Sequence, residues 1–201
     1  MAKALDLVGD RWSLLIVREL LIRGPLRYTD LRQGLPGIAT NLLAQRLEGL
    51  EKTGILRREY APPPIATTLI DLTARGKELE SVLFELGKWG APLLAKPGNH
   101  DAFCGHWLAL PAKHLLHDQT PDGPPVTLEI RSGGEPLSIE AAGGSVHFRT
   151  GPAKNPDLAL SGTPLLMLGV LMGKREFASA CKEGLKYKGD PNILRRLQPT
   201  A

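Results

Sequence analysis

The chain has 201 residues, 42% of them hydrophobic, with 25 Lys and Arg against 21 Asp and Glu and a formal net charge of +4. The apolar fraction excludes a disordered chain, the length suits two small domains, and so slight a basic excess favours an anionic partner only weakly. Two cysteines, Cys104 and Cys181, give neither a disulfide framework nor a paired Cys-x-x-Cys zinc site, and the longest apolar runs, Leu165–Leu168 among them, are far below membrane-spanning length. Met1–Asp6 lacks the long apolar core of a secretory signal, so a cytoplasmic location is expected.

From Leu5 to Leu94 the pattern is mostly helical. Trp12–Ile22 carries Trp12, Leu15, Ile16 and Leu20 at helical spacing and is stopped by Gly24-Pro25. Tyr28–Leu35 reads as a short helix stopped by Pro36-Gly37. Thr40 is expected to cap the next helix, which runs to Thr53 and ends at Gly54, with Leu43, Leu47 and Leu50 in one stripe. Ile55–Tyr60 and Thr68–Leu72 read as two short strands flanking Pro62-Pro63-Pro64, which cannot be strand interior. Leu79, Val82, Leu83, Leu86 and Trp89 then form a broad apolar stripe on a helix of about five turns, from Arg75 to Leu93. Helix, short helix, turn, helix, two-stranded hairpin, helix is the order of a winged helix: mainly α, with a two-stranded wing. The turn-rich stretch Ala95–Asn99 marks the break, dividing the chain into domains 1–95 and 100–201.

Beyond the break the pattern changes. Val126, Leu128 and Ile130 alternate with Thr127, Glu129 and Arg131 as a half-buried strand. Gly133-Gly134 leads into a strand over Pro136–Ala141, Gly143-Gly144 into Ser145–Arg149, and Leu158 with Leu160 marks a fourth strand. Thr163-Pro164 opens a helix through Met172, Glu176–Lys182 is another, Leu185–Lys188 forms a short last strand and Asp190-Pro191 opens a terminal helix. An α+β domain is expected, with an antiparallel sheet and helices on one face.

The residues Ala4–Leu20, Gly24–Tyr28, Leu35–Ile38, Gln45–Leu47, Leu72-Thr73, Gly76, Leu79 and Trp89-Gly90 together resemble the HxlR family of bacterial winged-helix regulators. The family often carries a cysteine just upstream of its first helix, and here no cysteine precedes Cys104; it also often has a small hydroxyl residue where this chain has Ala39, which passes the capping role to Thr40. Residues 103–198 look like a sterol-carrier-protein-like domain, through Asp157–Pro164, the apolar helix that follows, and Glu183–Asp190. The two resemblances imply a dimeric regulator that binds double-stranded DNA, more often repressing than activating, whose second domain takes a small apolar ligand or widens the dimer.

A recognition helix must pack on one face and stay polar on the other to enter the major groove. With Leu43, Leu47 and Leu50 turned inward, Thr40, Asn41, Ala44, Gln45 and Glu48 lie outward. Asn41 and Gln45 can pair bidentately with adenine, and Ala44 leaves room for a thymine methyl. Arg46 lies at the flank, where a phosphate contact and an intramolecular salt bridge both fit. Arg27 and Tyr28 open the preceding helix, a usual place for backbone contacts. Strand alternation sends Arg57 and Arg58 to opposite faces, so that one of them reaches DNA. Glu48 on the outward face would repel phosphate. The long apolar helix is read as a dimer interface formed by Leu5, Val8, Leu79, Val82, Leu83, Leu86 and Trp89, against the alternative of packing within its own domain.

In the second domain an apolar pocket would be lined by Phe148, Leu166, Met167, Leu171 and Phe177, residues that equally suit an ordinary core. Cys104, His106, His114 and His117 are metal-capable, but Pro111 interrupts them and the spacing matches no zinc pattern; no metal and no cofactor is expected. Cys181, beside Phe177 and Ala178 on a helix, is expected to be a buried thiol. No Gly-x-Ser-x-Gly, phosphate-cradling glycine loop or His-Glu-x-x-His occurs, so no enzyme is expected. The rival readings are a lipid or acyl-chain binding protein whose winged helix mediates protein contact, and an enzyme with a regulatory DNA-binding part.

Overall fold

The computed structural model describes residues 1–95 and 103–197. The chain forms two compact units that divide between Trp89 and Gly90; residues 96–99 of the expected joint lie outside the described residues.

The first unit opens with α1 (Ala2–Val8) and α2 (Arg11–Arg23). Asp10 caps α2: its carboxylate accepts the backbone N–H of Trp12 at 3.0 Å and of Ser13 at 3.1 Å, satisfying two donors that have no partner inside the helix. Then come α3 (Tyr28–Gln33), α4 (Thr40–Lys52) and a hairpin of β1 (Leu56–Ala61) and β2 (Thr67–Leu72), paired antiparallel from Leu56 opposite Leu72 to Ala61 opposite Thr67. Leu26 forms a bridge to Ile70, so the turn before α3 is stitched to the hairpin. The core is the inner faces of these elements, with Ile16, Val17, Leu31, Leu43, Leu47 and Leu56 fully buried. Among them lies one carboxylate, Glu19, 0% exposed and paired with Arg18 at 2.9 Å. Gly34 makes room for it: a Cβ at that position would stand 2.3 Å from Glu19 Oε2.

The helix expected from Arg75 to Leu93 is three pieces. Thr73 caps α5 (Ala74–Lys77), α6 spans Glu80–Gly90, and Ala91–Ala95 is a 3₁₀ turn. The backbone tightens at the first break, where the Leu79 N–H bonds Gly76 O three residues back. Gly76 is pressed so closely on the Ile55 carbonyl that a Cβ would lie 2.1 Å from its oxygen. That contact holds α5 against the start of the hairpin, and the helix resumes at Glu80.

In the second unit a 3₁₀ turn (Gly105–Leu108) runs into α7 (Ala109–Leu115). Pro111 stands in the first turn of α7, where a missing N–H costs no helical bond. The sheet contains β3 (Val126–Arg131), β4 (Leu137–Ala142), β5 (Ser145–Thr150), β6 (Leu158–Ser161) and β7 (Lys186–Gly189), in the order β5-β4-β3-β6-β7. The helices α8 (Pro164–Leu171), α9 (Phe177–Lys182) and α10 (Ile193–Leu197) complete it. The sheet is mixed rather than antiparallel, because β6 pairs parallel to β3. Leaving β5 at Thr150, opposite Leu137, the chain must re-enter beside Leu128 on the far side of β4 and β3. Three strand spacings are about 14 Å, and the extended residues 151–157 reach about 23 Å, so a short crossover suffices without a helix. Glu129, buried on β3, holds that crossover by accepting the Ala153 N–H at 2.7 Å while it pairs with Arg131. The other face of the sheet carries Leu128, Ile130, Ile139, Leu158 and Leu160, all fully buried, and the helices add Leu110, Met167, Val170 and Leu197 to the core. An ion pair fastens the end of this unit: Arg196 on α10 meets Asp118, after α7, at 2.7 Å, and Asp118 also accepts the N–H groups of Thr120 and Gly144.

Candidate nucleic-acid interface

The helix α4 buries Leu43, Leu47 and Leu50 and leaves Thr40, Asn41, Ala44, Gln45 and Glu48 exposed, the division read from the sequence. The capping expectation is corrected. Ala39 is the N-cap, no side chain caps the helix, and Thr40 is its first residue. With the capping position already taken by Ala39, Thr40 is freed for tertiary bonds: its carbonyl accepts the Tyr28 hydroxyl at 2.9 Å and its Oγ1 lies 3.3 Å from Arg32 Nη1. Tyr28 and Arg32 stand four residues apart on one face of α3, so this helix clamps the start of α4 at two points. Arg32 was missed in the sequence; its i+4 relation to Tyr28 is the signal that could have found it.

Asn41 turns its Oδ1 to the adjacent Leu42 N–H at 2.9 Å, leaving its amide donors outward. Gln45 is exposed one turn later. Glu48 pairs with Lys52 at 2.6 Å, and the Lys52 ammonium, through hydrogen bond and charge, holds its carboxyl below the usual range with a smaller contribution from Arg58. The negative charge foreseen on the outward face is therefore locally balanced.

The arginines are less free than the sequence allowed. Arg46 lies 3.1 Å from the capping carboxylate of Asp10, the intramolecular alternative of the two that its position offered. Arg57 meets Asp71, directly opposite on β2, at 3.3 Å, and Arg58 meets Glu51 in the last turn of α4 at 3.5 Å. Arg27 reaches from the N-terminus of α3 to the hairpin loop, donating to the Ile65 carbonyl at 3.2 Å. Thus Arg27, Tyr28, Thr40 and the loop at Ile65 are linked, while Arg46, Arg57 and Arg58 each serve a local pair.

Of the apolar residues expected at a dimer interface, Val8 and Leu83 are buried within the unit and Leu79 is half-buried. Leu5, Val82, Leu86 and Trp89 are exposed, Trp89 to 77%. Val82, Leu86 and Trp89 follow one another by four and three residues, a single stripe on α6 beside the one its own fold covers. A groove between α1 and the α5–α6 junction has Ala4, Leu7, Val8, Ile55 and Leu79 along it, with the charged residues Lys3, Asp6, Arg75 and Glu78 also lining it.

In the second unit Leu166, Met167 and Leu171 are buried, and Phe148 and Phe177 are half-buried. Phe177 meets Tyr187 edge to face, with ring centres 4.9 Å apart. Residue 117 lies beyond the end of α7, so His114 and His117 do not share a helical face. Cys181 is half-buried rather than buried, as is Cys104. No helix among the described residues is long and apolar enough to cross a membrane.

Comparison with known proteins gives a family for the first unit. The family described as HxlR-like helix-turn-helix matches residues 7–97. The uncharacterized HTH-type transcriptional regulator YvaP of Bacillus subtilis is 36% identical over 87 residues, covering 43% of this chain and 80% of that protein. The uncharacterized HTH-type transcriptional regulator sll1512 of Synechocystis is 39% identical over 89 residues, 44% of this chain and 65% of its own length. The HTH-type transcriptional regulator YodB of Bacillus subtilis is 33% identical over 99 residues, 49% of this chain and 87% of that protein.

Proposed function

The chain belongs to the HxlR-like helix-turn-helix family, and from that premise we propose that it is a dimeric regulator of transcription that binds duplex DNA by sequence, as a repressor. The observation that carries this reading is α4: a helix buried on its leucine stripe, polar on the other side, and clamped at its start by Tyr28 and Arg32. In it Asn41 and Gln45 read base edges in the major groove, and Ala44 gives them clearance. Thr40, Tyr28 and Arg27 flank the helix start, and Arg46, Arg57 and Arg58 support it through their ion pairs. A two-fold axis through the exposed stripe of α6, with Leu5 of α1, sets the two recognition helices about 34 Å apart.

The second unit, which resembles a sterol-carrier-protein-like domain at β6–α8 and α9–β7, takes a small apolar ligand against α8, whose sequence Pro-Leu-Leu-Met-Leu-Gly-Val-Leu is apolar all round. The ligand would lie among Phe148, Leu166, Met167, Leu171 and Phe177. The deciding experiment is selection of bound sequences from random duplexes with the full chain, repeated with extracted cellular lipids. Enrichment of a two-fold motif, altered in affinity by a lipid fraction, is the expected result. Failure to enrich any motif would leave the rival reading, an acyl-chain binding protein with a protein-docking winged helix.

A further inference from the structure

The hairpin loop between β1 and β2 is unusual in what it lacks. From Tyr60 to Ile70 there is no charged side chain, and the tip is Pro62-Pro63-Pro64-Ile65-Ala66, every residue of it exposed. A wing that enters the negative potential of a minor groove would be expected to carry Arg or Lys at its tip. This tip offers instead three stiff proline rings and an isoleucine that is 45% exposed.

The tip is also held in one place. The N–H groups of Ile65 and Ala66 both bond Pro62 O at 3.2 Å, closing the loop on itself. Ala66 sits at φ 46°, a left-handed conformation that alanine rarely adopts. Leu26 and Ile70 exchange backbone bonds of 3.0 and 2.8 Å, which seats β2 against the turn before α3. Arg27, the next residue, then donates to the Ile65 carbonyl at 3.2 Å, while Tyr28 beside it bonds Thr40 O at the head of α4. One end of α3 thereby braces both the recognition helix and the wing tip. A preorganised loop loses little conformational freedom on docking.

We infer that the wing tip docks in the minor groove as an apolar wedge, with Ile65 packed on the sugar walls or a base step and Arg27 acting as the strut that positions it. This deepens the DNA-binding reading and rests on it. Apolar side chains, Ile and Pro among them, serve as minor-groove wedges. A contact of this kind releases no counterions, so its share of the affinity does not depend on salt. Arg27, with one donor committed to the loop, works through the wing.

The test is titration of the full chain on a duplex from the selection above, at several salt concentrations from 50 to 200 mM, for wild type, Ile65→Ala, Ile65→Lys, Arg27→Ala and Gln45→Ala. Ile65→Ala is expected to bind about tenfold more weakly at every salt, on a line parallel to wild type, as loss of a partly buried aliphatic side chain does. Ile65→Lys is expected to steepen the slope of log K against log salt by about 1.8, the value for one phosphate in each of the two copies of the dimer. Arg27→Ala is expected to weaken binding without changing the slope. Because Ile65 is exposed, its substitution leaves the melting temperature unchanged, which is checked on the same samples. Wild-type binding by Ile65→Ala at all salts, with Gln45→Ala still relaxing base preference, overturns the wedge and leaves DNA binding standing. A slope shallower by about 1.8 in Arg27→Ala, one phosphate lost in each copy, makes Arg27 a phosphate contact and overturns the strut. A wild-type chain with no preference among duplexes overturns the reading beneath both.

Discussion

Arg46 Nε lies 3.1 Å from Oδ1 of Asp10, the residue whose carboxylate caps α2. An arginine of α4 thus has an ion-pair partner within its own unit. Both side chains are about one-third exposed, so the pair itself is worth at most about 1 kcal/mol. Arg46→Ala is expected to lower stability by about that amount in urea titration while leaving DNA affinity within twofold at a temperature where the protein is folded. Asp10→Ala should cost more, about 1–2 kcal/mol further, because it also removes the cap from Trp12 and Ser13. A large loss of affinity in Arg46→Ala without a stability change would return Arg46 to the phosphate contacts.

Acid should loosen both units by the same mechanism. Burial pushes the Asp10 carboxyl up, but bonds from the Ser13 hydroxyl and N–H, the Arg46 charge and the Trp12 N–H push it down further, so it ends below its ordinary value. Asp118 is held well below the usual range, chiefly by its hydrogen bond to Arg196, against desolvation and with help from the Thr120 and Gly144 N–H groups. A carboxyl with a depressed folded-state pKa contributes stability above its unfolded value, near 3.8, and loses it as pH falls through the folded value. Thermal melts are therefore expected to be flat in pH near neutrality and to fall below about pH 4. Asp118→Asn should lower the melting temperature at pH 7 by several degrees and flatten that acid limb. An unchanged limb in Asp118→Asn would mean that other carboxylates govern it.

Base preference should follow Gln45. It is exposed one turn into α4, beside Asn41 and Ala44. A bidentate amide–adenine contact carries about 1–3 kcal/mol of discrimination, so Gln45→Ala should relax preference at one position of each half-site by about 5- to 150-fold. Repeating the selection with this variant checks it; an unchanged motif would mean that another face of α4 meets the DNA.

Much of the first unit was legible because its signals are local. The spacing of Leu43, Leu47 and Leu50, the glycines at 24 and 54, and the turn residues around Pro62–Pro64 define α2, α4 and the hairpin within a residue or two, and the HxlR resemblance drawn from those motifs agrees with the family match. The partners of the arginines were not legible. Arg46–Asp10, Arg58–Glu51 and Arg27–Ile65 join residues that only the packed fold brings together, and nothing in the spacing of either partner announces the other. A hydroxyl near a helix start is a strong local signal for a cap, but Thr40 stands one position inside α4, with Ala39 at the cap, and its Oγ1 meets Arg32. In the second unit, alternation located β3 and the glycine pairs located β4, yet neither signal depends on which way a neighbouring strand runs. The parallel pairing of β6 with β3 depends on residues 151–157 crossing the sheet under the hold of Glu129, a charged residue inside a strand.

The stripe of Val82, Leu86 and Trp89 yields the last prediction. These three residues are exposed while Leu83, on the adjoining stripe, is buried, so α6 has one apolar side covered by its own unit and one left open. Open apolar surface of that kind on a helix is expected to be covered by a partner. A two-fold pairing would set α6 against its own copy, with each stripe meeting the same stripe. Leu86→Asp places a carboxylate at the middle of that stripe without touching the buried core. Leu86→Asp is therefore expected to sediment as a monomer at micromolar concentration where wild type is a dimer, with its circular dichroism unchanged. Operator affinity should fall by at least a hundredfold, because each half-site must then be bound without the effective concentration that linkage to the other copy supplies. Leu5→Asp on α1 should weaken the dimer less if its contact lies at the edge of the interface. A Leu86→Asp protein that remains dimeric and binds its operator as wild type does would place the two-fold contact elsewhere in the chain.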